Sequence, residues 1–105
     1  MNDALVDAVL RKLCVTYDDP DVYERIVSDI MPSAEQDLKN LLGIKDESFD
    51  FSKPGSENHL FINWCYYEYN GALDDFETHY ALQIGRCRDK WMVKQYAEEK
   101  AAADV

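Results

Sequence analysis

Between Asp19 and Gly43 apolar residues recur every three or four positions, at Val22, Ile26, Ile30, Ala34, Leu38 and Leu41. That spacing holds one stripe on one side of an α-helix for about 23 residues, or ~35 Å at 1.5 Å per residue. Asp19 can cap the start, Pro20 suits the first helical position because its missing N–H has no partner there, and Asp21 favours the positive end. Gly43 suits a left-handed stop. Pro32 lies inside the seam, where its ring opposes the carbonyl of Ser28. The apolar phase carries across it without a slip, which favours one kinked helix over a restart with Ser33 and Gln36 as a capping box.

Glycine and proline are scarce, 4 and 3 in 105 residues, so turns are few and helices are the default for the rest of the chain. From Asp3 to Cys14, Leu5, Val6, Val9, Leu10 and Leu13 share a face, with Asp7 and Arg11 paired on the other. Residues 44–56 form a loop in which Phe49, Asp50, Phe51 and Ser52 alternate and Lys53, Pro54, Gly55 and Ser56 make a tight turn. An aromatic helix starts at Ser56 or Glu57, carries Phe61, Trp64, Tyr66, Tyr67 and Tyr69 over more than one face, and ends at Asn70 and Gly71. A last helix opens with Asp74 and Glu77 as a capping box and runs through Phe76, Tyr80, Ile84, Cys87 and Trp91. Beyond Trp91 the seam dies, and residues 95–105 read as a flexible tail. The expected fold is all-α: one domain over 1–105, a small bundle of about four helices with one long helix, a loop and a long C-terminal helix.

Eleven Lys and Arg against 21 Asp and Glu give a net charge of −10, which argues against gripping nucleic acid through its phosphates or lying on an acidic membrane. No apolar run approaches the ~18 residues that cross a bilayer, and Asp3 and Asp7 stand where a signal peptide is positive, so a cytoplasmic origin is expected. Cys14, Cys65 and Cys87 are widely spaced among apolar neighbours and read as buried thiols.

Candidate chemistry is thin. Asp74, Asp75, Glu77 and His79 are of metal-ligand type, but a helix start already calls for such carboxylates. His59 has Ile62 and Asn63 at the positions where a partner would stand, which makes it structural or solvent-facing. No nucleophile elbow, phosphate loop or paired-cysteine motif is present, so no enzyme, cofactor or metal is expected. One basic cluster, Arg86, Arg88, Lys90 and Lys94 around Trp91, is either the solvated face of a helix or a binding surface, single-stranded nucleic acid included. The first 52 residues carry five cations against twelve anions and the rest six against nine, so the subunit is polarised and can meet a copy of itself. Phe49 and Phe51 either tuck onto their own core or meet another subunit. Candidate subunit or partner contacts are Phe49, Phe51, Tyr66, Tyr69, Arg86, Arg88, Lys90, Met92, Val93 and Tyr96.

The order of these features carries a resemblance over residues 4–94. Tyr17-Asp18-Asp19-Pro20 opens a long helix ending Asn40-Leu41-Leu42-Gly43; Phe49-Asp50-Phe51-Ser52-Lys53-Pro54-Gly55 follows, then Trp64-Cys65-Tyr66-Tyr67-Glu68-Tyr69-Asn70 and Ala72-Leu73-Asp74-Asp75-Phe76-Glu77-Thr78-His79-Tyr80. The pattern resembles the head-tail connector proteins of tailed bacteriophages and prophages; Pro32 inside the long helix departs from it. The resemblance implies a helical adaptor, made in the host cytoplasm and placed in the virion. It would form a ring, twelvefold in the virion, beneath the portal protein and would receive the next head-completion or tail protein. Double-stranded DNA would pass through its channel without specific binding, and the C-terminal part would dock on the portal. An acidic channel wall repels phosphate, which suits a conduit. The alternative is a small acidic helical protein that mimics DNA or inhibits a basic partner.

Overall fold

The computed structural model describes residues 3–16 and 18–103; Tyr17, part of the expected start signal, lies outside them. Every element among the described residues is helical. The order is α1 (Asp3–Leu13), α2 (Pro20–Glu24), a π-type segment (Arg25–Ile30), α3 (Met31–Leu42), α4 (Ser56–Tyr69), a 3-10 turn (Leu73–Asp75), α5 (Phe76–His79) and α6 (Ala81–Ala103).

The long helix starts as expected. Asp19 Oδ1 accepts from the backbone N–H groups of Asp21 at 3.0 Å and Val22 at 3.2 Å, and Pro20 takes the first helical position. The helix does continue past Pro32 as expected, rather than restarting at Ser33. The preceding residues widen into π turns, closed where Met31 N–H bonds back to the carbonyl of Ile26. The wider turn accommodates a proline that can neither donate to Ser28 nor tolerate its carbonyl at α-helical distance. The expected stripe does carry across the proline, with Ile26, Ile30, Ala34 and Leu38 all buried, and Met31, buried beside Ile30, broadens it there. Leu42, outside the expected stripe, is fully buried, whereas Leu41 is only half-buried. Gly43, at φ 70°, ψ 29°, ends the helix, and Ile44 N–H reaches Lys39 O at 2.9 Å.

Helix α4 is the centre of the bundle, contacted by α1, the π segment, α3 and α6. Partners on several sides cover most of its apolar surface, while Tyr67 and Tyr69 stay half-buried. Leu60, Phe61, Trp64 and Cys65 are buried; Tyr66 is exposed. Asn70 and the left-handed Gly71 (φ 69°) stop the helix as expected.

Three local expectations fail. Cys14 is not buried: it ends α1 in the left-handed region (φ 57°), where Val15 N–H turns back to Leu10 O and the thiol faces solvent. Asp74 and Glu77 form no capping box; residues 73–75 make a single 3-10 turn, and neither that turn nor α5 has a side-chain cap. The expected last helix is also broken at Tyr80 (φ −112°, ψ 19°). Tyr80 stacks on Phe76 at 5.0 Å and meets Tyr67 edge-on at 5.8 Å, so aromatic packing holds the bend between α5 and α6.

The loop after α3 is built by its polar residues. Asp46 Oδ1 accepts from Ser48 N–H and Oγ, and Asp50 Oδ1 accepts from Ser52 N–H at 2.9 Å. Those hydrogen bonds from Ser48 and Ser52 hold both carboxyls below their ordinary pKa. Lys39 donates to Glu47 O at 2.7 Å and Glu35 Oε1 at 3.2 Å, and Asn58 Nδ2 donates to Phe51 O at 2.8 Å. So tethered, the loop turns its phenylalanines inward. Phe51 is 2% exposed and stacks on Phe61 at 5.0 Å; Phe49, half-buried, meets Phe51 and Trp91 edge-on, each at 5.0 Å. Phe51 is a core residue rather than a subunit contact. Phe51→Ala should therefore cost about 3–5 kcal/mol, checked by denaturant unfolding of the two chains. A loss below about 1 kcal/mol would return Phe51 to the surface.

Candidate partner-contact surface

Helix α6 is the element on which most of the expected contact residues stand. Its inward side is narrow: Ile84, Cys87 and Trp91 are buried, and the other residues are half-buried or exposed. The molecule measures 54 × 28 × 20 Å, an elongated shape for a 105-residue chain.

What fastens α6 is a buried carboxylate. Glu57, on the first turn of α4, is 8% exposed. Its Oε1 accepts from Trp91 Nε1 at 3.1 Å and from the Lys90 ammonium, and Cys87 Sγ lies 3.7 Å away. A buried indole N–H requires an acceptor, and a buried carboxylate requires a cation and donors; each supplies the other's need. Burial pushes the Glu57 carboxyl up, but the hydrogen bond from Lys90, the residue's own backbone N–H, the Lys90 charge and Trp91 together outweigh it and hold the carboxyl below its ordinary value. The same surroundings push the Cys87 thiol up to about 11, first by burial and then by the Glu57 charge. Cys65 is raised further, by burial and by Glu68. Neither thiol is poised as a nucleophile.

Farther along, Gln95 bridges α6 to the end of α3: its Oε1 accepts from Lys45 N–H at 2.8 Å and its Nε2 donates to Gly43 O at 2.9 Å. Lys45 also pairs with Glu99 at 3.0 Å. The segment from 95 onward, expected as a tail, is thus helical through Ala103 and is tied to the body at two points.

The candidate contact residues divide accordingly. Lys90 serves the Glu57 pair, and Lys94 lies 4.6 Å above the Trp91 ring. Trp91 itself is 4% exposed, so it offers no face on which a base could stack, which removes the single-stranded nucleic-acid reading of the basic cluster. Tyr66 carries Lys12 over its ring at 5.2 Å, and half-buried Tyr69 carries Arg25 at 5.4 Å. Arg86 and Arg88 are exposed and make no ion pair among the described residues. Met92, Val93 and Tyr96 are 63%, 67% and 66% exposed, and Leu82, which sequence reasoning passed over, is 61% exposed. Between α6 and the end of α3 runs an open groove of about 490 Å³ lined by Leu42, Gly43, Gly85, Arg88, Met92 and Tyr96, among others.

Tyr67 OH lies 2.6 Å from His79 Nδ1, half-buried His59 meets Tyr80 edge-on at 6.1 Å, and among the described residues no three groups of metal-ligand type converge. Glu57 and Gln95 also escaped the sequence reading. The signal available for Glu57 was the unmet N–H of a seam tryptophan beside a lysine; Gln95 carried none. No protein-family model, curated protein or solved structure matches the chain.

The Glu57 pair sets a pH dependence. A carboxyl whose folded-state pKa is depressed adds stability that is fully present above its unfolded value, 4.5, and is lost as the pH falls through the lower folded value. Glu57→Gln should melt below the native chain at about pH 7, and the gap should close as the pH falls below about 4. Thermal melts followed by circular dichroism check this; a gap independent of pH would take the role away from the charge.

Proposed function

We propose that this chain is a structural adaptor of the virion of a tailed bacteriophage or prophage, a ring-forming piece between the portal and the next head-completion or tail protein. The observation that carries the reading is α6, which is fastened to the body as far as Gln95 and Glu99 yet leaves Leu82, Met92, Val93 and Tyr96 in solvent. An amphipathic helix held rigidly with its outer side uncovered is a ready docking element. The order of features that resembles the connectors supports the same reading, and a net charge of −10 suits a wall past which DNA slides. In this reading Arg86, Arg88, Met92, Val93 and Tyr96 meet the portal or a neighbouring subunit, and the work is assembly rather than catalysis.

Removing residues 95–105 takes away Tyr96 and the Gln95 bridge, and it should abolish co-sedimentation with portal rings while the truncated chain stays helical. Undiminished portal binding by that chain would overturn the docking role. The native chain should also leave double-stranded DNA unshifted in a mobility assay at moderate salt; a tight, salt-sensitive complex would overturn the channel reading.

A further inference from the structure

Leu82, Gly85, Asp89, Met92 and Tyr96 follow one another along α6 at spacings of three, four, three and four, the repeat by which one helix packs along another. The described chain leaves most of this line uncovered: Leu82, Met92 and Tyr96 are each more than 60% exposed, Asp89 is exposed and without an ion pair, and Gly85 is half-buried. Gly85 is the odd member. Glycine inside a helix lowers its stability relative to alanine, and here the chain's own packing gives no return for that loss, because a Cβ at Gly85 would meet nothing within 4 Å. A bare backbone in the middle of an exposed apolar line lets another helix come close.

The charges along the line say which helix. Arg88 and Asp89 are adjacent, opposite in sign and unpaired among the described residues. Two copies of such a sequence, laid antiparallel about an axis between these residues, satisfy both charges twice. We propose that a second copy of this chain covers the face, α6 against α6, in a two-fold dimer. Arg88 of each copy then stands opposite Asp89 of the other, and Gly85 opposite Met92, small against large. Leu82 lies beside Tyr96, and the groove walled by Leu42 and Gly43 takes the other copy's apolar side chains. A foreign partner carrying one sign of charge would leave one of the two residues unmatched.

The dimer needs nothing from the adaptor reading, yet it would cover side chains which that reading offers to the portal, so the free chain would be capped until a portal ring displaces its twin. Sedimentation velocity of the full chain over a range of concentrations tests it. A monomer–dimer equilibrium is expected. Arg88→Asp and Asp89→Arg should each weaken it at least about tenfold, and the double swap in one chain should restore it. Gly85→Leu should weaken association while raising the melting temperature, which a merely structural glycine would not do. Circular dichroism confirms that each variant is folded. A native chain that stays monomeric at every concentration, charge variants that associate as the native chain does, a double swap that fails to recover, or species larger than dimers would each overturn the proposal. Portal co-sedimentation, measured separately, decides the adaptor reading whichever way the dimer falls.

Discussion

A helix with large apolar side chains around most of its circumference has to be surrounded, and α4 imposes that condition on every other element. Leu60, Phe61, Trp64 and Cys65 fill one broad side, and half-buried Ile62, Tyr67 and Tyr69 carry the apolar surface beyond it, so no single partner suffices. Helix α1 covers one part, the π segment and α3 another, and α6 a third. A chain of this length has few residues to spare for such wrapping, and that explains why even the loop is recruited: Phe51 stacks on Phe61 and Phe49 closes over Trp91.

The polar residues inside this arrangement follow from the same demand. Glu57 sits on the first turn of α4, and its carboxylate joins that helix to α6 through Lys90 and Trp91. Lys39 and Asn58 do comparable work for the loop, one from α3 and one from α4. Among the described residues no buried side-chain nitrogen or oxygen is left without a partner, so each polar intrusion into the core also specifies which elements meet there. The outer side of α6 is the exception to this economy. Its inward seam ends at Trp91, while the helix runs on through Ala103 with exposed apolar side chains. That excess over what the monomer needs is what makes α6 the element that looks outward.

Much of the frame could be read from the residues alone. The span and ends of the long helix, the termini of α4 and the inward seam of α6 rest on local chemistry: an aspartate that caps, glycines that take positive φ, apolar residues spaced by the helical period. Among the candidate contacts, Met92, Val93 and Tyr96 were legible as unburied because they fall off that seam, and the structure leaves them in solvent. Phe49 and Phe51 were not legible: an alternating aromatic pair in a loop has the same local pattern whether it faces inward or outward. Lys90 and Lys94 likewise looked identical to Arg86 and Arg88 until Glu57 and the Trp91 ring were placed beside them.

The all-helical class, the positions of most helix ends and the acidic balance were determined by the sequence itself, because propensity, capping and charge act between residues close in the chain. Tertiary structure decided what depends on residues far apart. It bent the last helix at Tyr80 under aromatic packing and carried α6 on past the end of its seam by hydrogen-bonding Gln95 to the end of α3. It also drew Phe51 into the core and left Cys14 outside it. Each of these outcomes turns on which surfaces are left to cover once α4 is wrapped, and that is a property of the assembled chain that no short window of sequence contains.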